Sequence, residues 1–86
     1  MSWKAGSGVQ SGRGVFVINI PNVGVNRHSN VVASATEVAQ PGSVPVLGDA
    51  GVTVQSVAGH DNGSVSVRVL VEWDSSVWIR ATAVAP

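Results

Sequence analysis

The clearest structural signal in the chain is SVSVRVLVEW at residues 64–73, where apolar side chains alternate with mostly polar ones. Successive side chains of a strand point to opposite sides, so such alternation predicts a strand with one buried face. The residues of the predicted buried face are Val65, Val67, Val69, Val71 and Trp73. Trp73 is therefore predicted to belong to the core.

Turn signals bound this strand on both sides. Before it, residues 59–63 read GHDNG, and Asn-Gly favours a hairpin because both residues tolerate positive φ. After it, residues 74–76 read DSS and predict a second tight turn, which leads into a last strand over residues 77–84. The sequence does not decide which face of that last strand is buried.

The remaining apolar segments are also short, and none shows an apolar stripe at helical spacing. Strands are predicted over residues 15–20, 31–39, 44–47 and 52–58. Pro21 ends the first of them, and Pro45 reduces the third to a short edge strand, because proline cannot donate to a sheet ladder. Six short strands predict an all-β fold, a sandwich or a small barrel, and we favour a small antiparallel β-sandwich of about six strands.

The first thirteen residues differ in composition from the rest. They are rich in glycine and serine, which is typical of a flexible linker. We therefore predict a flexible N-terminal arm over residues 1–13 and a single β-sandwich domain over residues 14–86. Trp3 lies in this arm, where it is either a disordered tip or a group that docks on a neighbouring subunit.

Size and composition favour self-association. A domain of 86 residues buries a modest fraction of its surface, and small domains are commonly helped by disulfides, metals or oligomerisation. The chain has no cysteine, and only 12% of its residues are charged, so little charge opposes association. We expect a homo-oligomer; the alternative is a soluble surface rich in serine, threonine and asparagine.

The charge balance and the apolar runs exclude several partners. Five Lys and Arg balance five Asp and Glu, which argues against a nucleic-acid partner and against attachment to anionic membranes. No apolar run approaches the ~18 residues of a membrane helix, and the N-terminus lacks the apolar region of a signal peptide. We expect a virion location if the protein is viral, and otherwise a protein that is cytoplasmic or released without a signal peptide.

Catalytic patterns are missing from the sequence. His28 and His60 lie in predicted loops beside no recognisable nucleophile motif. Glu72 and Asp74 flank Trp73 at a strand-to-turn junction, where two acids are more typical of a solvated edge than of a carboxylate pair. The sequence therefore predicts no enzyme, and no catalytic residue, metal ligand or cofactor.

Two places could contact a partner or ligand besides Trp3. Trp78 and Arg80 lie on the opposite face from Val77 and Ile79, and both residue types are enriched at interface hot spots. Trp78 could also stack on a sugar ring; the alternative is that it is a second core residue. The loop residues His60, Asp61 and Asn62 could hydrogen-bond sugar hydroxyls, although turn chemistry alone explains an Asp-Asn-Gly run.

Three segments carry a resemblance to a known family. They are residues 17–36, in which a strand and a loop lead to VVASAT; residues 63–73; and the closing residues 75–85. Together they resemble the H-type lectin domain and related β-sandwich modules at the ends of phage tail proteins. Ala83 stands where the closing strand of that family usually has a tryptophan, and the aromatic residues that contact sugar in its loops have no match, so no sugar site is carried over.

The resemblance implies a six-stranded antiparallel sandwich, commonly trimeric, of a kind found on virions and in lectins. Our first expectation is a non-enzymatic structural protein on the surface of a virus or phage particle, of the capsid-decoration or tail-surface type. Its partners would be copies of itself, with a trimer favoured, and a capsid or tail protein. The alternatives are an oligomeric carbohydrate-binding lectin, with glycans as partners, and an accessory module of a toxin or secretion assembly.

Overall fold

Six antiparallel strands in two sheets make up the fold. The computed structural model describes residues 3–42, 44–48 and 50–86. The strands are β1 (Lys4–Gly12), β2 (Gly14–Ile20), β3 (Val32–Val38), β4 (Gly51–Gly59), β5 (Val65–Glu72) and β6 (Val77–Ala85). Sheet A has the order β1-β6-β3 and sheet B the order β2-β5-β4, and the two pack together as a small sandwich. The all-β prediction is confirmed, and none of the described residues forms a helix that could cross a membrane.

The core lies between the central strands of the two sheets. In β5 the alternation predicted from the sequence holds, and Val65, Val67, Val69 and Val71 are fully buried. In β6 the buried face carries Ile79 and the alanines that follow at every second position. Each fully buried valine or isoleucine stabilises the fold by roughly 1.5–3 kcal/mol relative to an exposed side chain.

Residues 4–12, predicted to be part of a flexible arm, form strand β1 instead. This strand pairs with β6 without interruption from Lys4 opposite Ala85 to Gly12 opposite Val77. A Cβ on Gly12 would stand 2.7 Å from the ring of Phe16, so sheet B passes directly beneath β1. A Cβ on Gly6 would stand 3.0 Å from the nearest atoms and one on Gly8 3.1 Å, so a side chain at any of these three positions requires its neighbours to shift. Met1 and Ser2, the first residues of the predicted arm, lie outside the described residues.

Residues 44–47 form no strand, although a short edge strand was predicted there. Pro45 makes a single bridge to Val38, and the Val46 N–H donates to the Glu37 carbonyl at 2.9 Å. Proline cannot donate to a ladder, and the pairing stops at this point. The number of strands is six because β1 takes the place of this segment.

The two turns around β5 differ in detail from the prediction. The β4–β5 hairpin is present, but the Gly63 N–H donates to the His60 carbonyl and only Gly63 has a positive φ, +88°. This is a three-residue loop that closes with a left-handed glycine, not a two-residue Asn-Gly turn. At the other end β5 stops at Glu72, so Trp73 lies in the turn and is exposed; its assignment to the core is wrong.

Strand β4 contains a bulge that the sequence analysis did not predict. Val54 pairs with Val69 and Ser56 pairs with Arg68, which leaves Gln55 as an extra residue. An extra residue shifts the alternation of side chains by one position. Because of this shift, Val57 packs against the core together with Val52 and Val54.

Candidate interaction surfaces

All three tryptophans lie outside the core. Trp3 is 68% exposed, Trp73 44% and Trp78 38%. The buried cluster is entirely aliphatic, and Phe16 is only partly buried against it. Tryptophan is on average highly buried in folded proteins, so three exposed copies in so short a chain are unusual. A substantial part of the tryptophan area of this protein is therefore available to a partner.

Trp78 and Arg80 lie on the outer face of sheet A. We call this surface the Trp78 face. Its residues are Ala5, Ser7, Val9 and Ser11 on β1; Trp78, Arg80, Thr82 and Val84 on β6; and Val32, Ser34, Thr36 and Val38 on β3. One row across the sheet joins Ser11, Trp78 and Val38, and the next joins Val9, Arg80 and Thr36. The face is thus mixed apolar and hydroxyl-bearing, with a single charged group.

The Trp78 face contains a shallow depression. Its volume is ≈ 410 Å³, and it is lined by Ala5, Gly6, Ser7, Arg80 and Thr82. The hydroxyls of Ser7 and Thr82 can donate or accept hydrogen bonds, and the guanidinium of Arg80 can donate them. The depression can therefore take a small polar group on the Trp78 face, with the indole of Trp78 outside its lining.

The predicted loop residues belong to a second, polar surface. Asp61 Oδ1 accepts a hydrogen bond from the Arg27 N–H at 3.0 Å, and its Oδ2 lies 3.7 Å from Arg27 Nε. Arg27 Nε also donates to His28 Nε2 at 3.3 Å. The loop before β3 and the β4–β5 hairpin are thereby joined. No local pattern in the sequence indicates the contact of Arg27, because its partner Asp61 is 34 positions away.

Most polar groups of the hairpin are used inside the protein. Asn62 Oδ1 accepts from both the N–H and the hydroxyl of Ser64. His60 Nε2 lies 2.8 Å from Ser66 Oγ. This histidine–serine pair has the separation of a base and a nucleophile, but no carboxylate hydrogen-bonds to His60 among the described residues. Across all the residues that the structure describes, no cluster of three or more His, Cys, Asp or Glu side chains could hold a metal ion.

The predicted contact residues do not form one site. The side chain of Lys4 lies against Gly24, and the Gly24 N–H donates to the Gly63 carbonyl, so Trp3 lies at the hairpin end of the sandwich. Trp78 pairs with Ser11, seven residues further along β1 and therefore ~24 Å from Lys4. The structure separates Trp3, His60, Asp61 and Asn62 from Trp78 and Arg80.

Further apolar groups lie on the surface outside these two places. Val15 and Val17 are exposed on the outer face of sheet B, where Val17 pairs with Arg68. Leu47 is fully exposed in the segment beside β3. The sequence indicates the exposed Val15 and Val17, because residues 15–20 are apolar on both faces and a half-buried strand alternates more strictly between apolar and polar residues.

Comparison of the chain with protein-family models, with curated proteins and with solved structures found no match. The resemblance to the H-type lectin domain therefore stays a hypothesis.

Proposed function

We propose that this protein is a non-enzymatic structural protein of a virus or phage particle surface, of the capsid-decoration or tail-surface type, and that it acts through protein–protein contacts in a homo-oligomer. The observation that carries the proposal is the exposure of all three tryptophans outside the aliphatic core cluster.

The energetics of the surface support this proposal. Burying an aromatic side chain removes about 150–250 Å² from water, and tryptophan is enriched among the residues that contribute most of the binding energy at interfaces. Exposed Val9, Val15, Val17 and Val32 add apolar area on the outer faces of the two sheets. With 12% of residues charged, the chain carries little repulsion that would keep copies apart.

The particle assignment is tested on particles released by the organism that carries the gene. They are purified on a density gradient, and the chain is quantified in each fraction by mass spectrometry. We expect the chain to sediment with the particles at a fixed ratio to the major capsid or tail protein. A chain found only in the soluble fractions, with particles free of it, would overturn the assignment.

A lectin is the second candidate, and the depression on the Trp78 face favours it. The indole of Trp78 can stack on the apolar face of one sugar ring. The hydroxyls of Ser7 and Thr82 lie four residues further along the strands, ~13 Å away, and can hydrogen-bond a second ring of the same glycan. A glycan array with wild-type protein, Trp78→Ala and Trp73→Ala tests this function. Trp73 is the control because it is also exposed but lies in the turn after β5.

The array separates the two candidates. Saturable binding to a defined sugar that is lost in Trp78→Ala and kept in Trp73→Ala would make the protein a lectin and overturn the purely structural role. No binding by folded wild-type protein would overturn the lectin and leave the assembly role.

A further inference from the structure

Strand β1 is the open edge of sheet A. It pairs with β6 on one side, and among the described residues no strand pairs with its other side. An open edge presents a row of unpaired N–H and C=O groups that can accept another strand.

The other three edges of the sandwich are each obstructed. On the free edge of β3, Pro45 forms a bridge with Val38, and the Glu37 carbonyl accepts a hydrogen bond from the Val46 N–H. The edge strand β4 is distorted by the bulge at Gln55, a device that discourages pairing. The edge of β2 lies under β1, since the Asn19 carbonyl oxygen is 3.1 Å from the place a Cβ on Gly8 would take.

Strand β1 stacks on β2 in turn, but its free side has no bridge, bulge or proline among the described residues. Its nine residues pair with β6 in an unbroken register, and it contains no proline. No charged residue occurs between Ala5 and Gly12; Lys4, at the very start, is the only charge in the strand. Natural edge strands are commonly protected by charges, prolines or bulges, so an unprotected edge of this length is available for pairing with another chain.

The strand is compatible with a second copy of itself. In an antiparallel pair centred on Gly8, Ala5 would face Ser11 of the second copy and Ser7 would face its Val9. Lys4 would face Gly12, so no two like charges would be opposed. Odd-numbered residues of one β1 would face odd-numbered residues of the other. The outer faces of the two copies of sheet A would therefore lie on the same side of the joined sheet.

We propose that β1 pairs antiparallel with β1 of a second copy about a two-fold axis, which joins two copies of sheet A into one six-stranded sheet. This inference rests on the proposed homo-oligomer and names its interface. Two-fold dimers are the commonest soluble homo-oligomers, and the pairing leaves the two Trp78 faces as one continuous surface. The subunit number is two, not the three that the resemblance implies.

Charge substitutions at Ala5 and Ser11 test the interface. Both residues are exposed, and their partners on β6 are the uncharged Val84 and Trp78. In Ala5→Lys/Ser11→Lys, two lysine pairs would be opposed across the axis, and in Ala5→Glu/Ser11→Glu two glutamate pairs. Light scattering after size exclusion should give a monomer for each variant alone and a dimer for their equimolar mixture.

A third variant and a control sharpen the result. Ala5→Lys/Ser11→Glu places each lysine opposite a glutamate in the centred register, and it should dimerise by itself. Val15→Lys/Asn19→Lys changes two exposed residues on the outer face of sheet B, and its mass should equal that of the wild type. Circular dichroism of every variant verifies the fold.

Disulfide trapping provides a second measurement should a charged variant not fold. The chain has no cysteine, so Ala5→Cys/Ser11→Cys introduces the only thiols. These lie about 20 Å apart within one copy, too far for a bond, but face each other between copies at the ~4.5–5.5 Å typical of an antiparallel pair. Mild oxidation should give a covalent dimer, and each single cysteine variant should give far less.

The outcomes distinguish a failure of the β1 interface from a failure of the proposed homo-oligomer. A wild type that is monomeric at all concentrations overturns both. A wild-type oligomer with like-charge variants of unchanged mass, a trimeric wild type, or no covalent dimer of the double cysteine variant overturns the β1 interface and leaves the homo-oligomer standing.

Discussion

Trp78 and Val38 are direct cross-strand partners on the outer face of sheet A, and Val38 is 2% exposed although that face points away from the core. Pro45 bridges Val38 from the other side. Val38 is thus covered between the indole and the segment beside β3, apart from the main buried cluster. One part of Trp78 contributes to the fold, and the remainder is open to a partner.

This relationship predicts a measurable cost for removing the indole. Trp78→Ala should lower the free energy of unfolding by about 1–2 kcal/mol, because Val38 loses its cover. Trp73→Ala should change it by less than ~0.5 kcal/mol, as expected of a surface site. Urea denaturation of both variants measures the difference. Equal values for the two would show that Val38 does not depend on Trp78.

A methyl group on Gly12 should destabilise the protein. The Cβ of Gly12→Ala would meet the ring of Phe16 at 2.7 Å, and overpacking of this kind costs about 1–3 kcal/mol. Ser11→Ala, at the adjacent exposed position, is the control and should cost under ~0.5 kcal/mol. Thermal unfolding compares the two. If residues 4–12 were a flexible arm, both substitutions would be silent.

Adjacent positions of β2 should differ sharply in their contribution to stability. Ile18 is fully buried, and Ile18→Ala should cost about 2–4 kcal/mol through lost burial and the cavity left behind. Val17 is about half exposed, so Val17→Ala should cost less than ~1 kcal/mol. Denaturant unfolding at equal slope provides both values. A large loss of unfolding free energy for Val17→Ala in the monomer would contradict the assignment of Val17 to the exposed face of β2 and Ile18 to the buried face.

At the hairpin end, the hydrogen bond that the Asp61 carboxylate accepts from the backbone N–H of Arg27 should contribute more to stability than the charge of Asp61. Asp61→Asn keeps an acceptor for the Arg27 N–H and removes only an exposed ion pair, which is worth about 0–1 kcal/mol. Asp61→Ala removes the acceptor as well and should lose a further ~0.5–1.5 kcal/mol. Unfolding at low and high salt distinguishes the two effects. A stability of Asp61→Asn as low as that of Asp61→Ala would assign the effect to charge.

The sequence predicts the fold class because the alternation in β5 is complete and its valines are all buried. It predicts the start and end of β2 almost as well, because Pro21 cannot continue a ladder. The strand count agrees with the structure for a partly wrong reason, since residues 44–47 were counted and β1 was not.

The misassigned parts depend on tertiary packing. A Gly/Ser-rich segment is typical of a linker, and only the proximity of Phe16 and Ile20 shows that glycine is required in β1. Trp73 continues the valine alternation, yet the strand ends one residue earlier. The shift from Val54 to Val57 in β4 is visible in the sequence, but a bulge is defined only by its partner strand.

The candidate surfaces show the same division. The type and position of Trp78, together with its alternation with Ile79, are enough to single it out, but its exposure requires knowledge of which face of β6 is covered. The contact between Arg27 and Asp61 joins two loops distant in sequence, and no local pattern indicates it.

Sedimentation equilibrium of the wild-type chain over a wide range of concentration tests the central claim, that this small domain acts as an assembly of copies, most directly. We predict a mass that is a whole multiple of the mass of one chain, and twice that mass if β1 pairs with β1. The assembly should persist on dilution to the concentrations used in the other assays. A single-chain mass at every concentration would contradict the account.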